Sequence, residues 1–486
     1  SRTCKGGSSG RYHKENQADI ASTGRAVRSG RVPRVHALGG LLAAPLACAG
    51  ELSFAVALAM LRQRKEALQA ARAEVRQRQE EVGAARGLAW PKLEASAQYT
   101  RIDEPIVIDL DPIRQVILSL HPNVPAAMLP PFSVTAQDDT FWKADVRASW
   151  PVYTGGKITA AQEAARAELR SAEAGERATG ETLASELARR YFALRLASRA
   201  RTLRAEVVAA IGQHLRHARR LEEEGMIARA ERLHAEVALA EAERQLARSE
   251  RDVELARIAL TAVISADDAE ITAATPIAVL STLEPAAEFV SQAEAANPNL
   301  ARLRAMRELA TIGKRAEKAR YLPDVFVFGM HELHPSDLTI LEPGWAVGVG
   351  ASLTLFDGFA REHRIAAAKE RETRVGALEA RARRDIATLV EKRYRELVTA
   401  RELVATLGST RELAAENLRV RTRAFEEGMG TSLEVVDAQL AASRVELERV
   451  LAGYEFVVAL AELLEASGQA DRLPELLARA DVEVER

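Results

Sequence analysis

His214 and His217 stand at i, i+3 spacing, which puts both rings on one helix face, and the acidic run Glu222–Glu224 follows closely. Imidazole and carboxylate groups could together hold a metal ion, but the same pattern also makes a solvated charged face. "HELH", His331–His334, lacks the i, i+4 spacing of a zinc helix and falls on an alternating, strand-like stretch. Tyr191 and Tyr394 occupy equivalent places in two similar stretches and read as packing residues. Arg419, Arg421 and Arg423 form a basic run that reads equally as solubilising charge or as a source of ion pairs. No phosphate loop, nucleophile elbow or dinucleotide fingerprint is present. The residues therefore call for no enzyme chemistry, cofactor or metal, and attention moves to the elements that carry them.

The 486 residues carry a formal charge of −2, so bulk charge favours neither nucleic acid nor an acidic partner. Residues 1–50 hold eight Lys/Arg against two Asp/Glu. Arg31 and Arg34 lead into "ALGGLLAAPLACA", with Ala47 and Ala49 at small-residue cleavage spacing. Residues 1–49 are therefore expected to be a disordered extension and a secretory signal, with Cys48 raising lipidation as an alternative. Cleavage after Ala49 would remove both cysteines, Cys4 and Cys48, and with them any disulfide. Nothing later in the chain approaches ~18 consecutive apolar residues, so a membrane role would have to come from strands.

No proline occurs between Val152 and Thr275, or between Gly344 and Leu473. Proline inside a helix costs ~3 kcal/mol, and these windows of Ala, Leu, Arg and Glu are what long helices require. The windows are copies. An offset of 203 carries Trp142 to Trp345, Tyr153 to Phe356, Gly155 to Gly358, and "EEGM" at Glu223–Met226 to Glu426–Met429. Upstream the offset is 232, pairing Leu68 with Leu300 and Pro91 with Pro323; the extra 29 residues make a longer connection between Glu104 and Asp139. A duplicated unit of this size sets the architecture.

Each unit reads helix, strand, strand, very long helix, turn, helix. The first repeat, 50–266, is expected to hold a helix at 52–88, strands at 91–102 and 142–153, a helix at 157–223 and a turn at Gly225. Residues 267–298 form a side region. The second repeat, 299–468, places strands at 323–334 and 345–356, a helix at 360–426 and a turn at Gly428; the tail, 469–486, looks frayed from Asp471. A helix of some 66 residues would span roughly 100 Å, too long for a globular core.

Leu93, Ala95, Ala97 and Tyr99 alternate with Lys92, Glu94, Ser96 and Gln98; Trp142 to Trp150 and Trp345 to Leu353 alternate likewise, while "VFVFGMHELH" does so poorly. The period suits a transmembrane β-barrel or the half-buried sheet of a soluble domain. Four strands cannot close a barrel, and open edges are forbidden in lipid. Pooling strands and helices from several copies removes both defects; three copies would give twelve strands, which leave an opening.

"NPNLARLRAM" (Asn297–Met306), "YLPDVFVFG" (Tyr321–Gly329), "SLTLFDGFAREHRIAAAK" (Ser352–Lys369) and "FEEGMGTSLEVVDAQLA" (Phe425–Ala441) resemble, in the same order, the TolC-type outer-membrane efflux factors. The resemblance covers Leu52 to about Gly468. It implies a mainly α fold with a transmembrane β part: a homotrimer whose 12-stranded β-barrel continues into a long α-helical barrel. It further implies outer-membrane lipid around the strands, a periplasmic adaptor docking on the tips, and through it an inner-membrane pump. Gly155 and Gly358 would make the strand-to-helix turns. Leu221, Gly225, Met226, Gly428, Met429 and Thr431 would form the docking tips, and Arg419, Arg421 and Arg423 would close the tube end by ion pairs. The first tip departs from the family pattern, with Ala228 and Arg229 where a capping Ser or Thr is usual. The implied function is a passive exit duct for small toxic compounds. The alternative within the family is the outlet of a type I protein secretion system. From other classes come an adaptor, which would lack two matched strand pairs, and a soluble coiled-coil scaffold, which would need no signal.

Overall fold

The computed structural model describes residues 51–265, 271–337, 339 and 342–485. The proposed signal and both cysteines lie outside them. The first repeat comprises β1 (Glu51–Leu52), α1 (Phe54–Arg64), α2 (Glu66–Gly87), β2 (Lys92–Arg101), β3 (Ile106–Asp109), α3 (Asp111–Leu120), β4 (Ser133–Gln137), β5 (Thr140–Tyr153), α4 (Lys157–Glu223) and α5 (Arg229–Ile264). Then come β6 (Thr272–Ala273), β7 (Ala278–Val279) and α6 (Ala286–Ala296). The second repeat holds α7 (Pro298–Ala319), β8 (Asp324–Glu332), β9 (Trp345–Ser352), α8 (Ala360–Glu426) and α9 (Ser432–Ser467), followed by α10 (Leu473–Ala478) and β10 (Val482–Glu483).

The helices obey the repeat to the residue. Offset by 232, α2 becomes α7, both of 22 residues. Offset by 203, α4 becomes α8, both of 67, and α5 becomes α9, both of 36.

The largest apolar core lies where α1, α6 and the short strands wrap the middle of α4 and α8 and the C-terminal parts of α5 and α9. Tyr191 is buried there against Phe54 and Phe192. Its hydroxyl donates to Leu52 O at 2.5 Å and accepts from Thr275 N at 2.9 Å, tying β1 and the segment after β6 to the rod. Tyr394 is half-buried beside Phe289. Both tyrosines are packing residues.

Three expectations need correction, and one is filled in. The single helix at 52–88 is two, because Lys65 is extended (ψ 123°). The ends freed by the break are held by side chains: Arg72 donates to Arg62 O and Gln69 to Arg64 O. Strand 345–356 stops at Ser352, because its partner begins at Asp324, directly after Pro323. The connection 104–139, expected only to be longer than its counterpart, is filled in with a β3–β4 ribbon and α3. The tail is ordered: β10 pairs with β7, Glu485 binds Arg195 through its Nε at 2.9 and 2.8 Å, and Arg449 donates to Val484 O.

Candidate functional site: an open-edged sheet and two helical tips

The four long strands form one antiparallel sheet in the order β2–β5–β8–β9, leaving β2 and β9 as free edges. One face carries Leu93, Ala95, Ala97 and Tyr99 opposite Ala148, Val146, Ala144 and Trp142, and continues through Val327 and Gly329 to Val349 and Val347. Most of its large side chains are exposed, including Leu93, Trp142, Trp345, Val347 and Val349. The opposite face carries Lys92, Glu94, Ser96 and Gln98 opposite Ser149, Arg147, Asp145 and Lys143. An apolar face open to the surroundings and a polar face behind it suit a lipid-facing wall with a wet interior.

The poor alternation of β8 has a cause. Phe326 and Phe328 lie on the polar face, over the glycines of β9. A Cβ added to Gly350 would sit 2.5 Å from the Phe326 ring, and one on Gly348 would sit 2.7 Å from Phe328. The rings fill the room the missing side chains leave. The matched F-x-F and G-x-G spacing in the sequence was the available signal.

The helices repeat the edge pattern. Next to the sheet, α4 packs between α2 and α7, and α7 on α8; farther along, α4 packs between α5 and α9, and α9 on α8. The outer members are thus α2 and α5 on the side of β2, and α8 on the side of β9. Exposed apolar residues collect on them: Leu233, Val237, Leu255 and Ile258 on α5, and Leu378, Leu389, Leu403, Leu413 and Val420 on α8.

At the strand-to-helix turns two successive residues take left-handed backbone in each copy: Gly155 and Gly156 (φ 61° and 88°), Gly358 and Phe359 (φ 68° and 66°). Gly155 abuts Leu322, 2.5 Å from where its Cβ would be; Gly358 faces open space. Phe359, a bulky residue in a conformation L-residues avoid, packs edge-on to Phe356 at 5.5 Å.

The two tips close alike. Gly225 and Gly428 have φ near 75°, Met226 N donates to Leu221 O and Met429 N to Ala424 O, each at 2.8 Å: a Schellman closure twice over. Met226 is 59% exposed and Met429 74%, available to a partner. Leu221 is not: it is buried with Ala218, Phe425 and Val435, so its role is to join the hairpins. Thr431 forms a full capping box with Glu434, whereas Ala228 makes no side-chain cap. The first tip instead supplies Glu231, whose carboxylate accepts from Ser432 N at 2.8 Å. Ser432 Oγ also meets His214 Nε2 at 2.7 Å. Burial, reinforced by His217, lowers the His214 pKa to about 4. His217 stacks edge-on to Phe425. Among the described residues no group of three His, Cys, Asp or Glu is placed to hold a metal.

The basic run is paired within the chain: Arg419 with Glu416, Arg423 with Glu427, and Arg421 with Glu434 across to α9 at 2.9 Å. Of the "HELH" residues, Glu332 accepts from Ala144 N and His334 meets Ser336, while His331 faces Trp345 across the strands.

Comparison with known proteins agrees with this geometry. A family model described as "Outer membrane efflux protein" matches residues 57–266 and 289–469. Protein CyaE of Bordetella pertussis is 26% identical over 339 residues, covering 67% of this chain and 70% of that protein. Among solved structures, the outer membrane protein VceC of Vibrio cholerae superposes with TM-score 0.66 at 17% identity, covering 86% of this chain and 96% of that one. The open state of the MtrE outer membrane channel of Neisseria gonorrhoeae gives 0.68 at 17%, covering 86% and 89%.

Proposed function

The chain belongs to the outer membrane efflux protein family, and we propose that three copies build a passive exit duct for small toxic compounds, docked through its tips by a periplasmic adaptor and an inner-membrane pump. It is a channel component of the outer membrane, so its task is to hold open a wet path rather than to make or break bonds. The observation that carries the assembly is that the two free edges are unlike. The first repeat presents β2, α2 and α5 on one side, and the second presents β9 and α8 on the other. Edges of this kind join head to tail, and a rotation that closes makes a ring. Three sheets of four strands give a twelve-stranded barrel, wide enough for an aqueous lumen.

The internal duplication supplies the register of the seam. Within the chain, Ala148 of β5 pairs with Gly329 of β8. Shifted by the repeat offsets, these become Ala351 and Ala97, so β9 of one copy meets β2 of the next with Ala351 opposite Ala97 and Val349 opposite Tyr99.

The tips are the docking surface on this reading, with Met226 and Met429 as contacts, Gly225 and Gly428 shaping the turns, and Thr431 capping the second hairpin. Arg419, Arg421 and Arg423 brace the tube end through the pairs described. The test is a double variant, Ala97→Cys with Ala351→Cys, in cells deleted for the native gene. Disulfide-linked trimers together with restored resistance to toxic compounds support the duct. Trimers without any change in susceptibility refute the small-molecule cargo.

A further inference from the structure

Residues 102–139, between β2 and β5, form a small lobe that the second repeat lacks. Its polar framework is complete. Ile102 N donates to Asp139 O at the root, and β3 pairs with β4. Asp109 accepts from Asp111 N at 2.8 Å, and Asp111 accepts from Phe132 N and takes two bonds from Arg114. Arg114 also reaches Leu129 O at 3.0 Å. The apolar side chains are, by contrast, uncovered. No residue of α3 is buried, although Ile113, Val116, Ile117 and Leu120 line one face at i, i+3, i+4, i+7. Ile106, Val107, Ile108, Val124, Met128 and Val134 are exposed as well. A lone two-stranded ribbon and a ten-residue helix do not hold in water without a covered apolar face.

We propose that the lobe is covered by its own counterparts: the α3 faces and 121–128 segments of the three copies meet one another over the outer mouth of the barrel, as a cap that parts when cargo leaves. This rests on the trimeric reading above. Three observations select that occupant. The lobe begins immediately after β2, the edge strand that must join a neighbouring copy, so the same contact brings successive lobes together around the rim. It sits at the sheet end opposite the long helices, where β2 ends and β5 begins. Its charge is divided. Asp103, Glu104, Asp138 and Asp139 stand at the root, and residues 112–132 contain no Asp or Glu. Roots spread around the rim keep their carboxylates apart while the 112–132 segments, which carry none, converge. A lipid surface fits less well: an interfacial helix gains from Lys and Arg on its polar face, and the one cation of α3, Arg114, is bound by Asp111.

The experiment places Leu120→Cys and, separately, Met128→Cys in the full-length chain, each also in the Ala97→Cys, Ala351→Cys background, and oxidises purified protein in detergent. A cap gives disulfide-linked pairs at position 120 or 128 in about two of every three chains, because a threefold ring leaves one cysteine over. Linked β2–β9 seams with no linkage at either lobe position overturn the cap and leave the trimer standing. The seam cysteines failing to link overturns both. A bimane label at position 120 quenched by brominated phosphatidylcholine vesicles also overturns the cap, assigning the face to lipid.

Discussion

His214 Nε2 lies 2.7 Å from Ser432 Oγ, so the long helix of the first repeat is fastened to the first residue of the last long helix of the second. The same serine takes the Glu231 carboxylate on its backbone N–H. The two tips are therefore one unit in which each repeat completes the other.

That fastening should respond to acid. The buried His214 is neutral in the fold, with its pKa lowered from 6.5 to about 4, while the unfolded chain binds a proton near 6.5. Its stabilisation is whole above pH 6.5 and lost as pH falls toward 4. The protection factors of the tip amides, that is, exchange corrected for its intrinsic dependence on pH, should fall across that window in the native chain. In His214→Gln they should stay flat; an equal fall there would refute the assignment.

The two strand-to-helix glycines should differ in their tolerance. Gly155→Ala meets the left-handed penalty of about 1–2 kcal/mol and also the Leu322 side chain. Gly358→Ala meets the penalty alone. Thermal unfolding of the detergent-solubilised protein should fall clearly further for Gly155→Ala, and an equal loss would contradict the packing described.

Phe326 and Gly350 form a complementary pair. Gly350→Ala forces the ring off the sheet and Phe326→Ala uncovers the glycine, each costing roughly 1 kcal/mol. The double variant should cost less than the sum of the two, as read by a double-mutant cycle on unfolding. Strict additivity would break the link.

Leu221 and Met429 separate packing from docking. Leu221→Ala should cost about 2–4 kcal/mol as a large-to-small change in a buried cluster. Met429→Asp, on an exposed side chain, should leave unfolding unchanged while lowering drug resistance in cells. Loss of stability in Met429→Asp would remove it from the docking surface.

The long helices were legible because two proline-free windows repeat without a gap, so each copy checks the bounds of the other. The sheet was legible where one face is polar, as along Lys92–Thr100. It was obscure at Phe326 and Phe328, where the inward face is aromatic because the neighbouring strand is glycine, a relation between strands that no single stretch displays. The lobe at 102–139 was hidden by Pro105, Pro112, Pro122, Pro125, Pro130 and Pro131, which leave only the short apolar period of α3 unbroken, and it has no second copy to read against. The tips appeared as glycine turns, yet the crossed capping by Glu231 joins residues some 200 positions apart.

Equal rod length has a cost for evolution. With 67 residues in each of α4 and α8, the two hairpin ends finish level. A single codon gained in one rod alone would lower its end by about 1.5 Å and swing every side chain beyond it through about 100°. Changes of length are therefore expected to enter this gene in matched pairs, preferably of whole heptads, like rungs added to both rails of a ladder.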